Sequence, residues 1–201
     1  MNNIASWSQD KRLWIVLALN LSMVGGLLTV GFLAHSLGVL AAGGDYISDA
    51  GAIMISIIAL HISRKPGANP NAKAYAALVN VVFMLSVTAF ITYSSIHRLS
   101  THVDRIDGLP VFIMSAIGSL VMIFGAYVLA KGSSNDLNMK AVLLDTSADA
   151  AFGAGVAVVG LIVFFTDRYY FLDPLVALII SCVILFHAGL LLKQVIKELR
   201  P

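Results

Sequence analysis

Four aspartates lie inside apolar stretches of this sequence, in two pairs with the same spacing. The first pair is Asp45 and Asp49 in the segment DYISDA, and the second pair is Asp145 and Asp149 in the segment DTSADA. A spacing of four residues places both carboxylates of a pair on one face of a helix, one turn apart. Carboxylate oxygens bind divalent metal ions. The four aspartates are therefore the candidate metal ligands of the chain.

Ionised carboxylates are costly in the middle of an apolar helix. An aspartate at the centre of a membrane helix costs roughly 2.5–3.5 kcal/mol on insertion scales, so four would cost about 10 kcal/mol or more. We expect no lysine or arginine inside a span to neutralise these carboxylates. The compensating positive charge is therefore expected from outside the chain, as a cation or as protons.

Helix capping is an alternative interpretation of the first aspartate in each pair. Asp45 follows two glycines and could begin a helix, as could Asp145 before Thr146. A helix over Tyr46–Ile62 would have only 17 residues and would leave the apolar segment LGVLAA outside it. Capping and simple hydrogen bonding between helices also leave the second aspartates unexplained, so an ion site is the favoured interpretation.

The elements that must position these aspartates are membrane-spanning helices. The chain has 201 residues, of which 59% are hydrophobic and 12% charged, and its mean hydropathy is +0.89. Soluble domains carry about 25% charged residues, so the composition excludes an ordinary cytosolic enzyme and a disordered chain. A net charge of +2 without a basic stripe excludes a nucleic-acid binder. The sequence predicts an all-α, polytopic membrane protein.

Six apolar runs are long enough to cross a bilayer, since each crossing needs about 20 residues. The connections are short. Lys193 follows the last apolar run, and only residues 194–201 come after it. We therefore expect one transmembrane domain over 1–201 with no soluble C-terminal domain. The predicted helices cover about 13–33, 37–62, 74–96, 110–130, 139–166 and 171–192.

The lysines and arginines indicate the orientation of the chain in the membrane. Cytoplasmic connections carry an excess of basic residues, and an even number of spans puts both termini on the same side. Both termini are therefore predicted to be cytoplasmic. The cytoplasmic side would hold Lys11, Arg12, Arg64, Lys65, Lys73, Lys131, Lys140, Lys193, Lys197 and Arg200, against Arg98, Arg105 and Arg168 on the other.

This topology predicts that the two aspartate pairs meet. The second helix runs inward and the fifth outward, so Asp45 can lie level with Asp149. Asp49 can lie level with Asp145, in the inner half of the site. Small residues surround both pairs and are expected to let these two helices approach closely. Four carboxylates could surround one divalent cation, and because they exceed its charge, protons are expected to compete for the same oxygens.

The segments HSLGVLAAGGDYISDAGA and NMKAVLLDTSADAAFGAG, together with six spans and L-D-P at 172–174, resemble the cation diffusion facilitator family. In that family, [HD]-x-x-x-D pairs on helices 2 and 5 form the transport site for Zn²⁺ and related divalent metals. The resemblance implies that the matching aspartates of this chain are the metal ligands, and that the chain forms a homodimer. Those ligands are Asp45, Asp49, Asp145 and Asp149.

The expected function is efflux of a divalent transition metal across a bacterial inner membrane by proton antiport. The expected partners are the metal ion, protons and the lipid bilayer. We expect a secondary transporter, not an enzyme, without a prosthetic group. The resemblance makes zinc the first expectation, and an all-carboxylate site also accepts harder ions, so manganese, cadmium, cobalt and iron stay open.

Two other functions stay open. A proton-coupled carrier of a small organic cation would use the aspartates to bind an ammonium group, although few aromatic residues lie near them. A non-transporting membrane subunit would use them for contacts between helices. Asn20 and Asn80 are interpreted as hydrogen-bonding groups between helices, and His187 as a packed or hydrogen-bonded side chain.

Overall fold

A computed structural model describes residues 7–62, 72–101, 103–131 and 137–199, which form six helices and no strand. The all-α prediction is confirmed. The helices extend beyond several of the predicted runs, most of all at the end of the sixth, because the apolar runs mark the part inside the bilayer and polar helix ends continue outside it. The helices are α1 (Gln9–Leu33), α2 (Leu37–Ile62), α3 (Ala72–Ser100), α4 (Gly108–Ala130), α5 (Leu137–Thr166) and α6 (Leu172–Leu199).

Five of these helices are long and apolar enough to cross a membrane when only the described residues are considered. The sixth, α2, has 26 residues and carries the first aspartate pair. Large apolar side chains are exposed along the outside of the bundle, among them Phe165 and Phe186, as a lipid-facing surface requires. The chain is a polytopic membrane protein. The expectation that no lysine or arginine lies inside a span does not hold for the helices themselves. Arg12 is buried inside α1, which begins before the first apolar residue, and Lys140 lies in the first turn of α5.

The helix ends define two ends of the bundle. The terminal end is where α1 and α5 begin and where α2 and α6 end, and the basic residues predict that it faces the cytoplasm. At the opposite end, α1 turns directly into α2. Of the basic residues used for the orientation, Arg64, Lys65 and Arg200 lie outside the described residues.

The centre of the bundle is α2, which contacts α1, α3 and α6 extensively and α5 over a short length. The most extensive contact of α5 is with α4. Each helix that carries an aspartate pair is therefore held mainly by other neighbours. The two pairs meet where α2 and α5 touch.

Small residues around the aspartates set the distances of α2 and α5 from those neighbours. A Cβ atom at Gly51 would lie 2.5 Å from the Asn80 side chain of α3, and one at Gly153 would lie 3.3 Å from the Ser119 backbone of α4. The expectation that small residues bring α2 and α5 together is therefore corrected at these two positions. A small residue permits close approach on its own side of the helix, and the sequence does not say which neighbour lies there.

The turn between α1 and α2 ends one helix and begins the next within three residues. His35 has a positive φ of 55°, and the backbone N–H of Ser36 donates to the Gly31 carbonyl over 3.0 Å. This is the pairing that commonly closes a helix C-terminus. The Ser36 hydroxyl then accepts from the Val39 N–H over 3.1 Å, which caps the N-terminus of α2.

A buried aspartate of α6 completes the N-terminus of α2. Asp173, at 0% exposure, accepts from the Ser36 hydroxyl at 2.5 Å, the Leu37 N–H at 2.7 Å and the Gly38 N–H at 3.2 Å. A carboxylate at this place also interacts favourably with the helix dipole. Asp173 therefore ties α6 to the start of α2.

Further polar contacts hold the opposite end together. Arg98 of α3 donates to the His35 carbonyl over 2.6 Å. Arg105 donates to both carboxylate oxygens of Asp167 over 2.8 Å. The hydrogen bond from the Tyr170 hydroxyl and the nearby Arg105 lower the pKa of Asp167, so this pair stays ionised at neutral pH. These contacts join the connections to the helices at this end.

We predict that Asp173→Ala lowers the free energy of unfolding by about 3 kcal/mol or more, because three buried donors lose their acceptor. Thermal unfolding in detergent would measure the loss. Asp107→Ala is the matched control, since Asp107 precedes α4 without a side-chain cap hydrogen bond. Equal unfolding temperatures for the two variants would contradict the tie between α6 and α2.

We predict that Gly160→Ala destabilises the contact of α4 with α5 by about 1–3 kcal/mol, as overpacking does. A Cβ atom there would lie 2.5 Å from the backbone nitrogen of Phe112. Gly155→Ala is the control, because no described atom lies within 4 Å of its added Cβ. The same unfolding measurement applies, and a Gly160→Ala protein as stable as the control would show that the helices can separate at little cost.

Candidate metal site

The structure excludes helix capping as the role of the first aspartates. The helix α2 begins at Leu37 and α5 begins at Leu137. Asp45 and Asp145 therefore each lie about two turns inside a helix. Neither position offers an unpaired helix N-terminus for the side chain to cap.

Three of the four aspartates come together between α2 and α5. Asp45, Asp49 and Asp149 each offer a carboxylate oxygen, and these three atoms lie within 4.8 Å of one another. We call these residues the aspartate triad. Asp149 is buried, and the other two are half-buried. Oxygens from two helices at this spacing can bind one metal ion jointly.

Asp145, the fourth candidate, is not part of this 4.8 Å group, but its carboxylate interacts with that of Asp49. It is half-buried and lines a cavity together with Asp49, on the turn of α5 that precedes Asp149. The structure thus brings Asp45 to Asp149, and places Asp145 and Asp49 on one cavity wall. Because α2 and α5 touch over a short length, one turn of α5 reaches both aspartates of α2.

A cavity of about 700 Å³ leads to the triad from the terminal end. Its walls include Leu13 near the start of α1, Val142 near the start of α5 and Leu191 near the end of α6. On the side of Asp45 that faces α3 and α6, the space measures only about 10 Å³, which is about the minimum for one water molecule. The triad is therefore reached from the terminal end.

Hydrogen bonds from neighbouring helices fix the backbone beside the aspartates. Asn80 of α3 donates from Nδ2 to the carbonyl of Ser48, the residue before Asp49, over 3.2 Å. Ser119 of α4 donates from its hydroxyl to the carbonyl of Ala150, the residue after Asp149, over 2.7 Å. The interpretation of Asn80 as a link between helices is confirmed.

Sequence reasoning missed Ser119. A serine in a membrane helix often bonds its own backbone, so the residue type alone does not reveal a bond to another helix. The available signal was its place in α4 within a run of small residues, Ser115, Gly118 and Ser119. Such residues mark close helix contacts in membranes.

The electrostatics of the site call for a cation. The described residues that line the cavity include two carboxylates and no lysine or arginine. The Oδ2 atom of Asp49 is buried and has no hydrogen-bond partner among the described residues. A buried polar atom without a hydrogen-bond partner is costly. A divalent ion at the triad would supply the missing interaction.

Comparison with known proteins identifies relatives across nearly the whole chain. Residues 13–200 match the family model of the cation efflux transmembrane domain. The chain is 31% identical over 206 residues to the zinc transporter ZitB of Yersinia pseudotuberculosis, an alignment covering 97% of this chain and 65% of that protein. It is 26% identical over 204 residues to the human proton-coupled zinc antiporter SLC30A2, with coverages of 93% and 55%.

The name of a third relative includes cadmium and cobalt as well as zinc. The chain is 25% identical over 182 residues to the cadmium, cobalt and zinc/H⁺–K⁺ antiporter of Bacillus velezensis, covering 85% of this chain and 58% of that protein. This chain therefore spans between 55% and 65% of the length of the three relatives. Manganese and iron do not occur in these three names.

The helices, the buried carboxylates and the cavity define a polytopic membrane protein of the cation-transport class. Within that class, the chain belongs to the cation efflux family, which is the cation diffusion facilitator family that its sequence resembles. This is a family of cation transporters.

We predict that Ser119→Ala weakens divalent-metal binding about fivefold, because a hydrogen bond contributes about 1 kcal/mol and this one positions the backbone beside Asp149. Titration of the purified protein with Zn²⁺ would measure the affinity. Ser86→Ala is the control, since its hydroxyl bonds only to the Val82 carbonyl of its own helix over 2.8 Å. Equal affinities in the two variants would show that the Ser119 bond does not position the site.

Proposed function

We propose that this chain exports a divalent transition metal, zinc first, from the bacterial cytoplasm across the inner membrane in exchange for protons. The observation that carries the proposal is the aspartate triad at the inner end of a cavity that leads from the terminal end. The names of the relatives, which include zinc transporters and antiporters, support it.

Proton exchange follows from the charges of the site. Three carboxylates carry more negative charge than one divalent ion neutralises, and Asp145 adds a fourth at the cavity wall. Metal and protons therefore compete for the same oxygens. Arrival of protons would release the metal, and loss of protons would restore the ligands, which couples the two fluxes.

The direction of transport follows from the shape of the cavity. It leads from the triad to the terminal end, which the basic residues assign to the cytoplasm. The described conformation would therefore take up metal from the cytoplasm. Release on the other side requires closing this cavity and separating helices at the opposite end, where Asp173 ties α6 to α2.

The fourth aspartate joins the ion during transport in this proposal. Asp145 lies one turn from Asp149 on α5 and shares a cavity with Asp49, so a small shift of α5 against α2 would bring its carboxylate to the metal. All-carboxylate ligands suit zinc, cobalt and cadmium, and also manganese and iron. The homodimer stays a prediction from the family resemblance.

Asp49→Asn and Asp149→Asn are predicted to abolish metal transport, with a loss of more than about 100-fold. Each removes a charged ligand, and even partners outside the ligand shell change metal affinity 10- to 100-fold. Proteoliposomes with an acidic lumen would be offered Zn²⁺, Cd²⁺, Co²⁺, Mn²⁺ or Fe²⁺ from outside. The parent chain should accumulate metal as protons leave, and a protonophore should stop the accumulation.

Asp107→Asn is the matched control, since Asp107 is exposed outside the cavity that reaches the triad, and it should transport at the parental rate. A rate of metal uptake that does not depend on the imposed pH gradient would contradict proton antiport. No flux of any metal by folded parent protein would contradict metal transport altogether. An organic-cation carrier or a non-transporting subunit would then be the better interpretation.

A further inference from the structure

The cavity that leads to the triad receives one polar side chain from each of four helices. Five of its lining residues are polar, and Thr146 is already paired, since its hydroxyl donates to the Val142 carbonyl over 2.8 Å. The four that remain come from α1, α2, α5 and α6. They are Asn20, Asp49, Asp145 and His187.

Asn20 indicates that this wall is built to hold a ligand. Its side chain is 2% exposed, and its Oδ1 atom has no hydrogen-bond partner among the described residues. A buried carbonyl oxygen without a hydrogen-bond partner is energetically unfavourable. The predicted role of Asn20 as a hydrogen-bonding link between helices does not account for this atom. A cation in the cavity would.

His187 adds a nitrogen to this set of oxygens. It lies on α6, on the same helix face as Val183 and Leu191, which also line the cavity. Its imidazole interacts electrostatically with Asp145. The side chain is exposed to this space rather than packed, which corrects the interpretation of His187 as a packed side chain.

We propose that Asp145, His187 and Asn20 form a loading site for a divalent transition metal, with Asp49 shared between this site and the triad. The proposal rests on the metal transport proposed above and adds a first stage to it. Two carboxylates, an amide oxygen and a neutral imidazole balance the charge of one divalent ion. The triad alone would leave an excess of one negative charge.

The loading site also sets which metals enter. Imidazole suits zinc and similar transition metals, whereas carboxylate and carbonyl oxygens alone also suit manganese and magnesium. The triad has oxygen ligands only. His187 is therefore the residue that favours zinc over manganese before the ion reaches the triad. Because Asp49 belongs to both sites, the ion can pass inward by exchanging its other ligands.

The test compares His187→Gln with the parent chain in lipid nanodiscs and proteoliposomes. We expect Zn²⁺ affinity to fall about 10-fold, Mn²⁺ affinity to change much less, and half-saturation of Zn²⁺ uptake to rise about 10-fold at a similar maximal rate. His97→Gln is the control, since His97 lines a separate cavity at the opposite end, and it should match the parent in each measurement.

Unchanged Zn²⁺ affinity and unchanged zinc-to-manganese selectivity in His187→Gln would overturn the loading site. If Asp49→Asn abolishes transport in the same series, the proposed transport function survives that result. If the parent transports no metal, the binding titration alone decides, and His187→Gln without effect on Zn²⁺ binding overturns the proposal.

His187→Cys provides a second variant in case His187→Gln does not fold. A thiolate is a softer ligand than imidazole. If residue 187 contacts the ion, the ratio of cadmium to zinc affinity should rise about 10-fold. An unchanged ratio would show that this side chain does not touch the metal and would overturn the proposal.

Discussion

Three carboxylates within 4.8 Å of one another, inside an apolar helix bundle, form the constraint on which the rest of this structure depends. Like charges at this distance repel, and burial removes the water that would otherwise stabilise them. No lysine or arginine among the described residues lines the cavity beside them. The bundle must therefore hold the carboxylates in place and admit positive charge from outside, which is what a cation transporter requires.

The packing of the bundle holds the carboxylates in place mainly through contacts of α2 and α5 with other helices. Asn80 fixes the α2 backbone beside Asp49, and Ser119 fixes the α5 backbone beside Asp149. The first bond comes from α3 and the second from α4, so each helix that carries an aspartate pair is supported by a different neighbour. Two helices that are supported separately in this way can shift against each other.

The difference between the two ends of the bundle lets positive charge reach the carboxylates from outside. A cavity leads from the triad to the terminal end, while the opposite end is joined by Asp173, Arg98 and the pair of Arg105 with Asp167. Of these contacts, the pair of Arg105 with Asp167 is exposed, whereas Asp173 is fully buried. A bundle held this way can open at one end as it closes at the other, with the carboxylates in between.

The sequence by itself determined the membrane class, the helices and which carboxylates share a helix face, because hydropathy and a four-residue spacing are local properties that act before any tertiary contact forms. The family resemblance, carried by the residues around the aspartates, was confirmed for the same reason. Only the tertiary structure decided that Asp145 lies outside the 4.8 Å group of the triad and that small residues face α3 and α4. It also decided that Asn20 and His187 line the same cavity as Asp145. Those facts depend on how the helices cross and rotate against one another. The helical period of a sequence shows which residues share a face, but it does not show which neighbouring helix that face contacts.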